Sequence, residues 1–232
     1  RFAPFRAWLQ VAKTLGANHR KAMLAYHRAR QVGQYYQALL ASRMLPSEAM
    51  SAIDRWWSSL PDKSWLGLSK DRSSIASARS STEVLGNSDR QIRLAVVGYP
   101  YMIHDEYVNC GLLANLKRLG ATILTPDMVP IKARQAQAMK QPKYLFWYYS
   151  NQVIRATYYF FQEKMIDGLI HVTAFACGPD AMVSKLLELD CRKHDRLPYL
   201  SLCLDEHTGV AGVMTRLEAF IDMLVRRKGG SL

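Results

Sequence analysis

The residues best placed for chemistry in this chain lie in three short runs. The first is Ala174-Phe175-Ala176-Cys177-Gly178-Pro179-Asp180, which follows an apolar stretch and precedes a helical pattern. Gly178 permits an unusual backbone, and Pro179 with Asp180 suits the first turn of a helix. A thiol there faces backbone N–H groups and the positive end of a helix dipole, an arrangement that serves a metal ligand or a nucleophile. The plain alternative is a small apolar residue packed in the core. Spacing alone does not choose between them.

The second run, Leu204-Asp205-Glu206-His207-Thr208-Gly209, sets two carboxylates and an imidazole side by side. Such groups bind metal or exchange protons, and Asp205, Glu206 and His207 are candidate catalytic residues on that ground. Asp205 and Thr208 equally suit a turn or helix cap. The third run, Tyr99-Pro100-Tyr101-Met102-Ile103-His104-Asp105-Glu106-Tyr107, adds His104 as a further acid–base candidate, although Asp105 and Glu106 also suit a helix entry. No GxGxxG, GxxxxGK[ST] or GxSxG pattern occurs, so dinucleotide, P-loop and serine-elbow chemistry lose their sequence support.

Hydrophobic periodicity says what must position these runs. Pro4 to about Trp57 repeats apolar residues at helical spacing, as in Trp8, Val11 and Leu15 or Tyr36, Leu39 and Leu40, and predicts two or three helices. Pro46-Ser47-Glu48 reads as a helix start. The aromatics Tyr35, Tyr36, Trp56 and Trp57 read as packing residues. Residues 58–91 are Ser-rich and aperiodic, a linker between a helical segment (1–57) and an α/β domain (92–232).

From Ile92 onward, strands alternate with helices: Ile92–Gly98, Ala121–Thr125, Asp167–Thr173 and Pro198–Leu204 as strands, with helices over Glu106–Leu119, from Pro130 through Lys164, Asp180–Leu189 and Gly212–Arg227. That alternation predicts an α/β fold, a flavodoxin-like parallel four-stranded sheet of order 2-1-3-4 preceded by an α-helical segment. In such sheets ligands bind beyond the carboxyl ends of the strands, at the switch point between strands one and three. All three runs fall at those ends.

Composition narrows the class further. The chain has 232 residues, 49% hydrophobic, and carries a net charge of +12. Residues 1–90 hold 14 Lys/Arg against 6 Asp/Glu, so the basicity sits mainly in front. The cations are scattered around helices and no nucleic-acid-binding signature accompanies them, so nucleic acid is not the expected partner. The four cysteines, Cys110, Cys177, Cys191 and Cys203, are spaced 67, 14 and 12 residues apart, which suits neither a disulfide framework nor a zinc ribbon. Cys110 and Cys203 read as core and Cys191 as near the surface. No apolar stretch reaches the roughly 18 residues of a membrane span, and no signal peptide is visible; a cytoplasmic protein without a membrane partner is the expectation. The chain begins with Arg1 and is read as a piece or processed product.

Taken together, Val97–Tyr107, Phe175–Asp180, Leu204–Gly209 and Thr215-Arg216-Leu217-Glu218-Ala219-Phe220 resemble the 2-hydroxyacyl-CoA dehydratase and CoA-enzyme-activase-related family, in its dehydratase-component-like members. The resemblance spans about Ile92–Arg227 in four ordered blocks and, more loosely, the helical front. It implies an iron–sulfur protein of the 4Fe-4S type, a dehydratase (lyase) component or iron–sulfur reductase working with an ATP-dependent activase that delivers low-potential electrons, with an acyl-CoA as substrate. It also implies that Cys177, in the Cys-Gly-Pro-Asp block, is a cluster ligand, with Gly178, Pro179 and Tyr99 as cofactor contacts. In such proteins the other ligands come largely from an N-terminal lobe that this chain is expected to lack. One Cys cannot hold a cluster that needs about four protein ligands. Two other readings stay open: a mononuclear metal or thiol enzyme using Cys177 with His207 or His104, and a non-catalytic docking scaffold.

Overall fold

The computed structural model describes residues 3–58 and 91–229, which belong to two separate compact units. Apart from its two ends, the Ser-rich stretch 58–91 lies outside the described residues.

The first unit is helical: α1 (Ala3–Thr14), α2 (His19–Ala41) and α3 (Pro46–Ser58). Asn18 caps α2 by accepting the Lys21 N–H at 2.9 Å. Glu48 reaches back from the first turn of α3 to accept the Leu45 N–H at 3.0 Å, half of a capping box. The core gathers Tyr35, Leu39, Leu40, Ala49 and Ile53, with Tyr36 and Trp56 packed at its margin. Trp57 is exposed, contrary to its reading as a packing residue, and so are Val11 and Leu15. Helix α1 meets α2 through Ala12 and through the Trp8 indole, which donates to the Ala22 carbonyl at 3.0 Å, and a single helix contact covers only a narrow stripe.

The second unit is an α/β layer structure. Its strands are β1 (Arg93–Gly98), β2 (Thr122–Leu124), β3 (Gly168–Ala174) and β4 (Tyr199–Leu204), all parallel in the order β2-β1-β3-β4. This is the flavodoxin-like order that the strand–helix alternation requires. The helices are α4 (Pro100–His104), α5 (Leu112–Arg118), α6 (Ile131–Ala136), α7 (Tyr148–Gln162), α8 (Gly178–Lys193) and α9 (Val210–Gly229). The central strands are buried on both faces because helices cover both, and Leu94 through Val97 are fully buried. Register aligns Val97, His171 and Ser201 across β1, β3 and β4, in the row beneath α8.

Two helical stretches differ from the pattern reading. The expected helical region from Pro130 through Lys164 is broken: after α6 come a 3-10 turn (Gln137–Lys140) and a non-helical loop over 141–147, held by the Asn151 side chain, before α7 begins at Tyr148. The other lies before α5. Instead of a continuous helix over Glu106–Leu119, the chain makes the short α4, then a turn, then α5. Cys110 and Gly111 both take left-handed backbone, at φ 56° and 69°, which ends any helix passing through them. Asp105 accepts the N–H groups of Tyr107 and Val108 at 3.0 and 3.1 Å, and the buried Asn109 amide bridges Ile103 and Leu112. Local side-chain hydrogen bonds thus override helical propensity here.

Asp167 ties the amino ends of two strands to the last helix. Its carboxylate accepts the Arg93 backbone N–H at 2.7 Å, the Arg93 guanidinium at 3.3 Å and Lys228 Nζ at 3.1 Å. Burial alone would raise its proton affinity, but these donors and the Arg93 charge outweigh it and hold the carboxyl below its ordinary 3.8. A depressed carboxyl contributes stability above its unfolded value and loses it as pH falls through its folded value. Asp167→Asn is therefore expected to be the less stable protein at neutral pH, with the difference closing below about pH 3.8 when denaturant midpoints are compared across pH.

Candidate functional site

The carboxyl ends of β1 and β3 lie side by side, with Gly98 paired to Val172, and the two loops that leave them form the switch-point rim. Cys177 is the N-cap residue of α8, reached through Ala176 in left-handed backbone at φ 59°. Its own N–H bonds the Ala174 carbonyl at 3.2 Å and its carbonyl accepts from Ala181 at 2.9 Å, so the residue's backbone is fixed on both sides. The side chain is half-buried and unpaired with another sulfur.

Beneath the rim lies a polar pair absent from the sequence-derived candidates. His171, in the middle of β3, and Asp180, in the first turn of α8, are 0% and 1% exposed, with Nε2 and Oδ1 3.2 Å apart. The Tyr199 hydroxyl stands 3.5 Å from His171 Nδ1 and also bonds Ser184, which in turn bonds Ser201 at 3.1 Å. Burial drives the Tyr199 hydroxyl up to about 12, so it acts as a neutral hydrogen-bonding group. Asp180 Oδ2 is buried without a protein partner. The one sequence signal is a histidine inside the apolar run Leu169–Val172, at the parity that faces α8.

Tyr99 and Tyr101 stand over this pair. The Tyr99 hydroxyl is 2.7 Å from the buried Ser150 Oγ. Burial pushes the hydroxyl proton affinity of both tyrosines up, and the neighbouring Asp180 and Cys177 add to the effect. The structure thus brings Tyr99, Cys177, Gly178 and Pro179 to one rim above the buried Asp180.

The other predicted residues have partners of their own. His104 Nε2 pairs with Asp127 Oδ2 at 2.7 Å, at the end of β2. Asp205 folds its own turn, accepting the Thr208 hydroxyl at 2.7 Å and the His207 N–H at 3.0 Å; the Thr208 bond is the main reason its carboxyl sits below the usual range. Glu206 and His207 are 81% and 86% exposed, and their side chains approach each other at 3.6 Å. Asp205 and Thr208 thus hold the turn together, Thr208 Oγ1 also accepting the Asp205 N–H at 2.9 Å.

Three cysteines differ from their pattern readings. Cys110, expected in the core, is half-buried in the turn before α5, its sulfur 3.6 Å from the Thr208 carbonyl. Cys203, also expected in the core, is exposed on the edge strand β4, where only one side has a strand neighbour. Cys191, expected near the surface, is buried, and burial pushes its thiol up to about 12. In native protein at pH 8, Cys191 is therefore expected to resist a thiol-titrating reagent until the fold opens, while Cys203 reacts at once. Mass mapping of the labelled sites checks this, and early labelling of Cys191 contradicts it.

All four cysteines are described, and none is in a disulfide. Among the described residues no three His, Cys, Asp or Glu side chains gather closely enough to hold a metal ion. An iron–sulfur cluster needs about four protein ligands, mostly Cys, and a zinc site at least three. The described residues therefore do not form a complete site for either group; Cys177 is at most one ligand. A hollow of about 340 Å³ opens at the opposite, amino end of the sheet between Phe161, His194, Leu197 and Leu224. Two of its cations are already committed, Lys228 to Asp167 and Arg227 to the Asp195 and Arg196 carbonyls, which makes it a structural seam rather than the site.

The fold and rim define an α/β protein of flavodoxin-like topology with a thiol at its switch point. The chain belongs to the family described as CoA enzyme activase uncharacterised domain (DUF2229), whose model matches residues 3–129. That match covers the helical unit and runs past β2 into the α/β unit, ending before the Cys177 rim. No curated protein matches the chain. Among the described residues no helix is long and apolar enough to cross a membrane.

Proposed function

We propose that this protein is an electron-transfer or dehydratase-type component of a CoA-enzyme activation system, and that its Cys177 rim is one half of an iron–sulfur site completed by another lobe or subunit. The observation that carries the reading is Cys177 itself: a half-buried, unpaired thiol on a fixed helix N-cap at the switch point of a parallel sheet. Membership of the activase-related family supports the context, and the resemblance of the Cys-Gly-Pro-Asp block supports the ligand.

The roles of the chain's own residues come from position. Cys177 would offer one thiolate to the shared group, whose chemistry is the passage of single electrons. Asp180 and His171 hold the first turn of α8 against β3, and so hold Cys177 in place. Tyr99, anchored on Ser150, and Tyr101 wall the rim and restrict water there. An ATP-dependent activase is the partner this reading calls for, and an acyl-CoA the substrate of the whole assembly.

The test is the metal and acid-labile sulfide content of the assembled full-length protein prepared without air. Iron and sulfide in equal amounts support the reading. Stoichiometric zinc without sulfide supports a mononuclear site instead, and a preparation free of metal overturns both.

A further inference from the structure

The stretch from Met128 to Gln162 contains Lys132, Arg134, Lys140, Lys143 and Arg155 and not one acidic residue. It also carries exposed apolar side chains: Met139 is 92% and Phe146 89% exposed, and Tyr144 and Tyr148 are 66% and 63% exposed. Exposed aromatics on a loose loop would mean little, but this loop is built. The buried Asn151 side chain makes four hydrogen bonds to it, accepting from Leu145 N–H and the Gln141 amide and donating to the carbonyls of Leu145 and Trp147, at 2.6 to 3.0 Å. Arg155 lies over the Tyr144 ring at 5.4 Å. A buried, fully used amide thus fixes a loop whose aromatic side chains face outward.

The ledge is continuous with the rim. Tyr148 meets Tyr149 at 5.4 Å between ring centres, Tyr149 meets Tyr99 at 5.8 Å, and Tyr99 meets Tyr101 at 6.0 Å, beside Cys177. Large exposed apolar patches of this kind mark interaction surfaces, and Trp and Tyr are the residues most enriched among binding hot spots.

We propose that the ledge Lys140–Tyr149 is the docking face for an acidic protein surface bearing apolar side chains, whose seat on it covers the Cys177 rim. Charge selects the occupant: the stretch 128–162 has no acidic residue, and its exposed Lys132 and Lys143 attract carboxylates. A second copy of this chain, at net charge +12, lacks the complementary charge. Arg134 and Arg155, the forked groups suited to phosphates, are committed to the Pro126 carbonyl and the Gln141 amide, which disfavours nucleic acid. A bilayer could accept the aromatics, yet it supplies no ligand to the thiol at the ledge's end. Only the exclusion of a bilayer rests on the proposed shared site.

The test uses the 232-residue chain and a synthetic peptide of about 16 residues of Glu, Leu and Phe, with a Lys-for-Glu counterpart and vesicles containing about one-third anionic lipid as the other arms. Expected is binding of the acidic peptide that weakens with added salt, and weakens about ten-fold or more in Phe146→Ala/Tyr148→Ala and in Lys132→Glu/Lys143→Glu, each checked for an unchanged circular dichroism spectrum. Equal binding of the Lys peptide, stronger binding to vesicles, or undiminished binding by both variants overturns it. Cys177→Ser is expected to bind the peptide like the wild type, so the ledge stands or falls separately from the metal content of the assembly.

Discussion

Replacing His171 by leucine is expected to lower the unfolding free energy of the α/β unit by about 3–5 kcal/mol, the cost of removing one partner from a buried polar or ionic pair. Asp180 would then hold two unpartnered carboxylate oxygens where it now has one, at a position that is 1% exposed. With a urea slope of about 2 kcal/mol/M, the midpoint falls by about 2 M. The double variant His171→Leu/Asp180→Leu should recover much of that loss, because two apolar groups in place of a pair leave nothing unsatisfied. A single-variant loss below about 1 kcal/mol, or strictly additive losses, would show that the pair is not coupled. The functional consequence comes from the same contact: loosening the first turn of α8 frees the residue that caps it, Cys177.

Gly98→Ala is expected to cost about 3 kcal/mol, the upper end of overpacking. A Cβ built at Gly98 lies 2.4 Å from the Val172 carbonyl oxygen. That neighbour is backbone of the adjacent strand, paired to Gly98 in register, so it yields only if β1 and β3 part at the switch point. Gly212→Ala is the matched control, since nothing lies within 4 Å of its added Cβ and it sits within α9. It should gain about 0.5–1 kcal/mol from helix propensity. Equal stability of the two variants would contradict the packing assigned to the switch point.

The fold was legible because the strands advertise themselves. Continuous apolar runs such as Leu94–Val97 separated by helical patterns admit little but a covered parallel sheet, and the order β2-β1-β3-β4 agrees with that expectation. Cys177 was legible as a rim residue for the same reason: it follows a strand and precedes Gly178 and Pro179, so its position depends on local sequence. What stayed hidden depends on contacts distant in sequence. His104 looked like an acid–base group beside its own loop, yet its partner, Asp127, comes from the end of β2, 23 residues on. The run Asp205-Glu206-His207 looked like a cluster, but the hydrogen bonds of Asp205 stay within its turn and leave Glu206 and His207 exposed to solvent. His171 and Asp180 were each visible as letters, one in an apolar strand and one in a helix start. Only the strand's parity and the packing of α8 bring them within 3.2 Å. Likewise, Asn151 reveals its clamp on the aromatic loop only once α7 is folded.

The most direct test of the central claim compares iron and sulfide in three assembled proteins prepared without air: wild type, Cys177→Ser and Cys203→Ser. Cys203 is a fair control, being a free thiol exposed on an edge strand. If Cys177 is the ligand this chain contributes, iron and sulfide fall sharply in Cys177→Ser and hold at the wild-type level in Cys203→Ser. Equal content in all three, or equal loss in both variants, would contradict that role.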